Sequence, residues 1–364
     1  MEAVNDLPFA EHEVSPGQVE GAAHLWAQVH QRTGKVGQGV NAGRLRLDDE
    51  DARAFLKCSK TCLPASRRLY GMRARDKGRR IRPHPRPALS LSQKRPSMSP
   101  PLFFNLQATH NPHRWLLPLS PAVCVGPPDN LFMFGGVGMA AAIAALERTC
   151  GRPAIWATAQ YLSYARPPSI VDLDVWVPAS GKYNSQARVI GHVGDKEIFT
   201  VNAALGARES EHSTQWVQAP DAPPPEACVE ADHWRGGGDD LHSRIEVRVA
   251  QGCYGGAKAG APASDGRLLL WIRSREGLPI DSTFLAIVAD FVPGALGNAL
   301  QLNAGGNSLD NTIRYRRIVP TDWVLCDIRI DGVHGGFGHG SMALFAQDGE
   351  LMATASQSMI LRVF

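Results

Sequence analysis

Apolar and polar positions change period several times along this chain, and each change marks an element. In SIVDLDVWV (169–177), Val171, Leu173, Val175 and Val177 alternate with Asp172, Asp174 and Trp176. That is the period-two pattern of a strand with one buried face. Upstream, within 131–150, Met139, Ile143 and Leu146 fall at i, i+4 and i+7, one face of a helix, and Gly151 follows as a stop signal. Strands are expected at 185–193 and 197–205 around a Gly194-Asp195 hairpin turn. After a Pro- and Gly-rich stretch at 218–241 the order restarts. Strands at 245–249 and 268–272 precede a helical face of Phe284, Ile287, Val288 and Phe291. An alternating run at 323–330 and an Asp348-Gly349 turn then lead to a last strand at 351–363.

The two series can be laid over each other. QYLSYARP (160–167) resembles NTIRYRR (311–317), which sets Tyr164 on Tyr315 and Ser308 on Ala157. Matching Asp195 with Asp348 sets Gln357 on Ala204. A helix beside an antiparallel sheet, twice over, predicts an α+β chain in which a sheet wraps each helix. The expected domains are 102–217 and 242–364, with 218–241 as a linker and 1–101 as a leader.

Charge separates the leader from the rest. Residues 53–96 carry 14 Lys and Arg against the single acid Asp76, so the remainder is net negative although the whole chain is +3. The leader can bury too little apolar surface to offset its ordering entropy and is expected to be largely disordered, apart from a helical pattern at 17–33. Aromatic residues do not interleave regularly with its charges as a base-stacking groove requires, so no nucleic-acid partner is expected. Seven scattered cysteines argue against a disulfide framework, and Cys58 and Cys62 lack a second pair at metal-binding spacing. The expectation is a cytoplasmic protein with no metal and no cofactor. No membrane span is expected either, the nearest apolar run being 131–146.

Four blocks carry a family resemblance: PDNLFMFGGVGMAAAIAALERT, WIRSREGLPIDSTFLAIVADFVPGAL, NSLDNTIRYRRIVPTDW and DGELMATASQSMILR. In this order, across 102–364, they resemble the thioesterase II (TesB-like) acyl-CoA thioesterases. The resemblance implies a tandem (double) hotdog fold, each unit a long helix wrapped by an antiparallel β-sheet. It also implies hydrolysis of acyl-CoA without a covalent intermediate, and association into a homo-oligomer. In that family an Asp in the second helix, a Thr opening a following strand and a Gln in the last strand hold the attacking water. By position these are Asp290, Ser308 and Gln357, with Ser replacing Thr but keeping a hydroxyl. Val137 stands where the first-hotdog motif often has Gln.

The chemistry supports the same set. Asp290 lies in AIVADFVP, where burial raises a carboxyl toward the range of a general base. The alternative is an Asp on a solvent face, with Ser308 and Gln357 as ordinary strand polars. No counterpart set occurs in the first half, whose helix has no acid before Glu147, so one site per chain is expected. Gly136, at the start of the first helix, is the candidate backbone donor to the thioester oxygen, or else serves close packing. HGGFGHG (334–340) is no dinucleotide fingerprint and reads as a bulge or a close backbone contact in a curved strand, with His334 and His339 as surface or packing residues. There is no GxSxG elbow. A non-catalytic acyl-CoA binder and a hotdog enoyl-CoA hydratase remain as alternatives, the latter lacking a His placed beside Asp290.

Overall fold

The computed structural model describes residues 102–231, 239–261 and 264–364. The leader, its helical pattern, the basic stretch and Cys58 and Cys62 lie outside them.

Alternation in the chain becomes one antiparallel sheet of 15 strands among the described residues. The principal ones are β1 (Arg114–Pro118), β2 (Ala154–Tyr161), β3 (Ile170–Ser180), β4 (Asn184–Val193), β5 (Lys196–Gly206), β6 (Ile245–Tyr254) and β7 (Arg267–Ser274). They continue with β8 (Ala304–Ser308), β9 (Asp310–Tyr315), β10 (Val324–His334), β11 (Phe337–Ala346) and β12 (Leu351–Val363). Neighbours run β1-β3-β4-β5-β2-β9-β12-β11-β10-β7-β6, and β8 also pairs with β12. Val171, Leu173 and Val175 are buried while Asp174 and Trp176 face out, as the alternation predicts.

At the centre β2 meets β9, with Thr158 opposite Thr312. Their hydroxyls are 2.7 Å apart and their positions 154 residues apart. The flanking strands repeat that separation: Ala159 pairs with Val201, and Ile313 with Ala355. This corrects the sequence overlay. Tyr315 corresponds to Tyr161, not Tyr164; Ser308 to Ala154, not Ala157; Gln357 to Ala203, not Ala204. Weak identity over eight residues cannot fix a register, whereas a hydrogen-bonded ladder does.

Among the described residues three α-helices sit against the sheet. Helix α1 (Gly135–Cys150) ends at Gly151, whose φ of 63° is the left-handed cap a glycine adopts without strain. The expected single apolar face is exceeded, because every residue from Gly136 to Leu146 is buried. The run GVGMAAAIAAL is small enough to be covered on all sides, and α2 packs beside it. Helix α2 (Ser282–Ala289) is capped by Asp281, whose carboxylate accepts from the Thr283 and Phe284 amides at 2.9 Å each. The helix stops at Asp290, and a 3-10 turn over Val292–Ala295 leads into α3 (Leu296–Leu300). Pro293 supplies the reason, since it has no amide to donate and disfavours helix before it. Together 282–300 form the longest apolar helical stretch, longer than 131–146, and 78% of its apolar window is buried inside the protein.

Two expectations change. HGGFGHG holds a hairpin turn that was not expected, at Gly335 and Gly336 (φ 57° and 82°), joining β10 to β11. The expected irregularity and close backbone contact lie beside it: the pairing shifts register between Ile330 and Gly332, and a Cβ on Gly340 would stand 2.8 Å from the Arg329 carbonyl oxygen. The 218–241 stretch is not all free linker: Val229 and Glu230 pair with β6, and Cys228 packs with Trp271, Trp323 and Phe345.

Candidate active site

The break at Asp290 puts a carboxylate where a helix interior would otherwise continue. Asp290 is the C-cap of α2 and only 4% exposed. It faces the N-terminus of α1, where helix amides have no partner within the helix. Gly136 N–H donates to Asp290 Oδ2 at 2.7 Å. A side chain at either glycine would prevent this approach. A Cβ on Gly136 would stand 2.8 Å from the Ile287 carbonyl and 2.9 Å from Asp290 Cβ. One on Gly135 would stand 2.8 Å from Asp290 Oδ2. The glycine pair thus serves close approach to the acid.

The other oxygen faces the sheet. Ser308 ends β8, separated from β9 by Leu309 alone, and donates from Oγ to Asp290 Oδ1 at 2.9 Å. Alternation along β12 turns Gln357 inward with Ala355 and Met359, leaving it 3% exposed. Its amide nitrogen donates to Asp290 Oδ1 at 2.5 Å and to Ser308 Oγ at 2.7 Å. That orientation follows from chemistry, since the amide oxygen turned toward a carboxylate would set acceptor against acceptor. Gln357 Oε1 is left buried with no hydrogen-bond partner.

Opposing effects set the acidity of Asp290. Burial pushes its carboxyl up from 3.8 to about 6, against the lowering effect of the donors Gln357, Ser308 and Gly136. The group is therefore mostly ionised at neutral pH yet close enough to it to exchange a proton, as a general base requires.

The structure brings Asp290, Ser308, Gln357 and Gly136 into one cluster. Ser308 closes a short strand and does not open the next. Gly136 N–H is directed at the Asp290 carboxylate. Val137 is fully buried in α1. Glu147 is used structurally, accepting from the Ala154 amide at 2.8 Å and from Ser282 Oγ at 3.0 Å. His334 and His339 are exposed on the β10–β11 hairpin. Among the described residues no group of three or more His, Cys, Asp or Glu side chains is placed to hold a metal.

Sequence reasoning passed over Tyr161 and Asn311. The Tyr161 hydroxyl and both polar atoms of the Asn311 amide are buried without a hydrogen-bond partner. Tyr161 gave a signal only through its place in the repeat, which the mistaken overlay hid.

Comparison with known proteins bears on the fold and the family of the chain. The family model of the acyl-CoA thioesterase C-terminal domain matches residues 218–361. No curated protein matches the chain. A candidate thioesterase from Novosphingobium aromaticivorans is 36% identical, covering 71% of this chain and 98% of its own, with a TM-score of 0.65. A hot dog fold protein from Alicyclobacillus acidocaldarius shares 17% identity at a TM-score of 0.62, covering 71% and 96%. An acyl-CoA thioesterase II from Mycobacterium marinum shares 20% at a TM-score of 0.56, also covering 71% and 96%. With the hot dog fold, the C-terminal family match and a 36% identical relative spanned nearly end to end, the chain belongs to the TesB-like acyl-CoA thioesterase family.

Proposed function

We propose that this protein hydrolyses acyl-CoA thioesters to a free carboxylic acid and CoA by direct attack of water, with Asp290 as general base. The observation that carries the reading is a single buried carboxylate held by three donors from three different elements. In the reaction, water oxygen bonds to the acyl carbonyl carbon while one water proton passes to Asp290. The tetrahedral intermediate then collapses, the carbon–sulfur bond breaks, and the proton leaves Asp290 for the departing CoA sulfur. No acyl-enzyme forms. Ser308 and Gln357 orient the water; Ser308 Oγ can accept or donate, and Gln357 Oε1 is an acceptor awaiting a donor. Gly136 holds the base and does not bind the substrate oxygen.

The accompanying architectural proposal is a tandem double hotdog, with domains at 102–217 and 242–364, a partly packed joint at 218–241 and one working site per chain. The constant separation across the central strands supports it. So does the absence of polar counterparts, because Ser308 and Gln357 correspond to Ala154 and Ala203. A cytoplasmic location and a homo-oligomer belong to the same proposal, and light scattering on the purified chain tests the second.

The decisive experiment is release of free CoA thiol from a panel running from acetyl-CoA to palmitoyl-CoA, wild type beside Asp290→Asn. Turnover that falls by on the order of a hundredfold or more in the variant supports the mechanism. Binding of acyl-CoA with no turnover on any chain length replaces it with an acyl-CoA-binding function.

A further inference from the structure

Hydrolysis needs a donor for the carbonyl oxygen as well as a base for the water, and the Gly136 amide is occupied by Asp290. Among the described residues, six buried polar side-chain atoms have no hydrogen-bond partner, and four of them belong to Tyr161, Asn311 and Gln357. These residues sit on the adjacent strands β2, β9 and β12. Asn311 pairs with Ala159, two positions from Tyr161. It also precedes Thr312, which pairs with Ser356, the neighbour of Gln357. The row reaches Asp290: the phenol carbon of Tyr161 and Asp290 Oδ2 stand 3.0 and 2.8 Å from the point where a Cβ on Gly135 would lie. Buried polar groups without partners are costly, and a cluster of them beside one acid calls for a ligand that supplies the missing partner.

The repeat provides an internal comparison. Tyr315 corresponds to Tyr161, and its hydroxyl donates to the Ser282 carbonyl at 2.6 Å. One tyrosine is used for folding; its counterpart in the other half is left unpaired at the site.

We propose that the Tyr161 hydroxyl, with the Asn311 amide beside it as a positioning group, donates to the acyl carbonyl oxygen of the bound thioester. As water attacks, the carbonyl electron pair moves onto that oxygen, which accepts a stronger hydrogen bond from Tyr161. As the carbon–sulfur bond breaks, the pair returns and the acid is released. No proton leaves Tyr161. Burial, then the nearby Asp290 and Asp310 charges, hold the phenol well above its ordinary 10, so it remains a donor throughout. Asn311 is fully buried, and its amide beside the phenol pulls the other way, favouring the phenolate by less than burial disfavours it.

This inference rests on Asp290 being the base, so one experiment must separate the two. Wild type, Asp290→Asn, Tyr161→Phe and Tyr315→Phe are compared for kcat and KM on the acyl-CoA that the wild type turns over fastest, and for Tm. Tyr161→Phe is expected to lower kcat by on the order of a hundredfold with KM little changed. Its Tm should change little, because the hydroxyl makes no well-formed hydrogen bond in the free enzyme, only a loose contact with the Asn311 amide. Tyr315→Phe should lower Tm and leave kcat near that of the wild type. If Asp290→Asn is inactive while Tyr161→Phe keeps kcat within about twofold, the Tyr161 role is overturned and the Asp290 mechanism stands. A Tyr161→Phe loss confined to KM, or one matched by a fall in Tm, also overturns it, in favour of a binding or structural role. An active Asp290→Asn variant removes both.

Discussion

Gly136 and Asp290 lie 154 residues apart in the chain, and the amide of one donates to the carboxylate of the other at 2.7 Å. The start of α1 therefore meets the end of α2 at an ionisable side chain. Partial positive charge at the first terminus favours the carboxylate, while the carbonyl end of α2 opposes it. Asp290 is thus neither a free surface acid nor a fully neutral buried one.

Substitution at the glycine tests how much of this depends on close approach. In Gly136→Ala the new Cβ would stand 2.8 Å from the Ile287 carbonyl and 2.9 Å from Asp290 Cβ, so backbone must move. Forced separation of the helices is expected to cost about 1–3 kcal/mol. It should also lower kcat by at least about tenfold through misplacement of the base. Thermal unfolding and steady-state kinetics on the same preparation check both. A variant with wild-type Tm and kcat would show that the helices have room to spare.

Acid titration offers a second test in which stability and activity move oppositely. Burial raises the Asp290 carboxyl from 3.8 to about 6, so the folded state holds the proton more tightly than the unfolded chain. The associated stability is present in full below 3.8 and is lost as pH rises through about 6, amounting to about 3 kcal/mol. Asp290→Asn does not titrate. Urea unfolding should show the wild type losing about 2 kcal/mol relative to that variant between about pH 4 and pH 7.5, the remainder having been lost below pH 4. Wild-type kcat/KM should rise over the same range with a midpoint near 6. A flat profile there would remove Asp290 from the role of base.

Much of this was legible beforehand because strand alternation and turn glycines are local signals. The bounds of β12 were read directly, as was the Gly151 cap. Asp290, Ser308 and Gln357 could be named from sequence blocks. Their mutual contacts could not, because these depend on Pro293 ending α2 and on β8 crossing to β12. Gly136 shows the same limit: a helix-start amide is a donor by rule, but only the packing of α2 decides what it donates to. Tyr161 was missed because its importance lies in what it does not touch, and a missing partner has no sequence pattern.

Ser308 stands where the resembling family has Thr, and the hydroxyl is the shared feature. Ser308→Ala removes one of the donors that keep the Asp290 carboxylate ionised. The acid limb of kcat/KM should therefore shift to higher pH, together with a loss of on the order of tenfold at its plateau. Ser308→Thr keeps the donor and should retain both the limb and the rate to within about threefold. An alanine variant with an unshifted limb would show that the 2.9 Å contact does not tune the acid.

Gln357→Glu is the sharper change, because it preserves shape and alters only charge and donor capacity. The Gln357 amide nitrogen lies 2.5 Å from Asp290 Oδ1, in a place with almost no solvent. A carboxyl there cannot ionise alongside Asp290 without setting two negative charges in contact, so the pair shares one proton. The shared proton occupies the lone pair that should receive the water's proton, and the second ionisation is driven upward. Activity near pH 7 is expected to fall by more than about tenfold and to recover partly as pH rises, since deprotonating the pair restores a base. Gln357→Ala supplies the contrast: it loses the donor and leaves a gap, so its deficit should not recover with pH. Both variants can be followed by CoA release across pH, with Tm recorded to confirm folding. A Gln357→Glu enzyme with the wild-type profile would mean that residue 357 does not share a proton with Asp290 during the reaction.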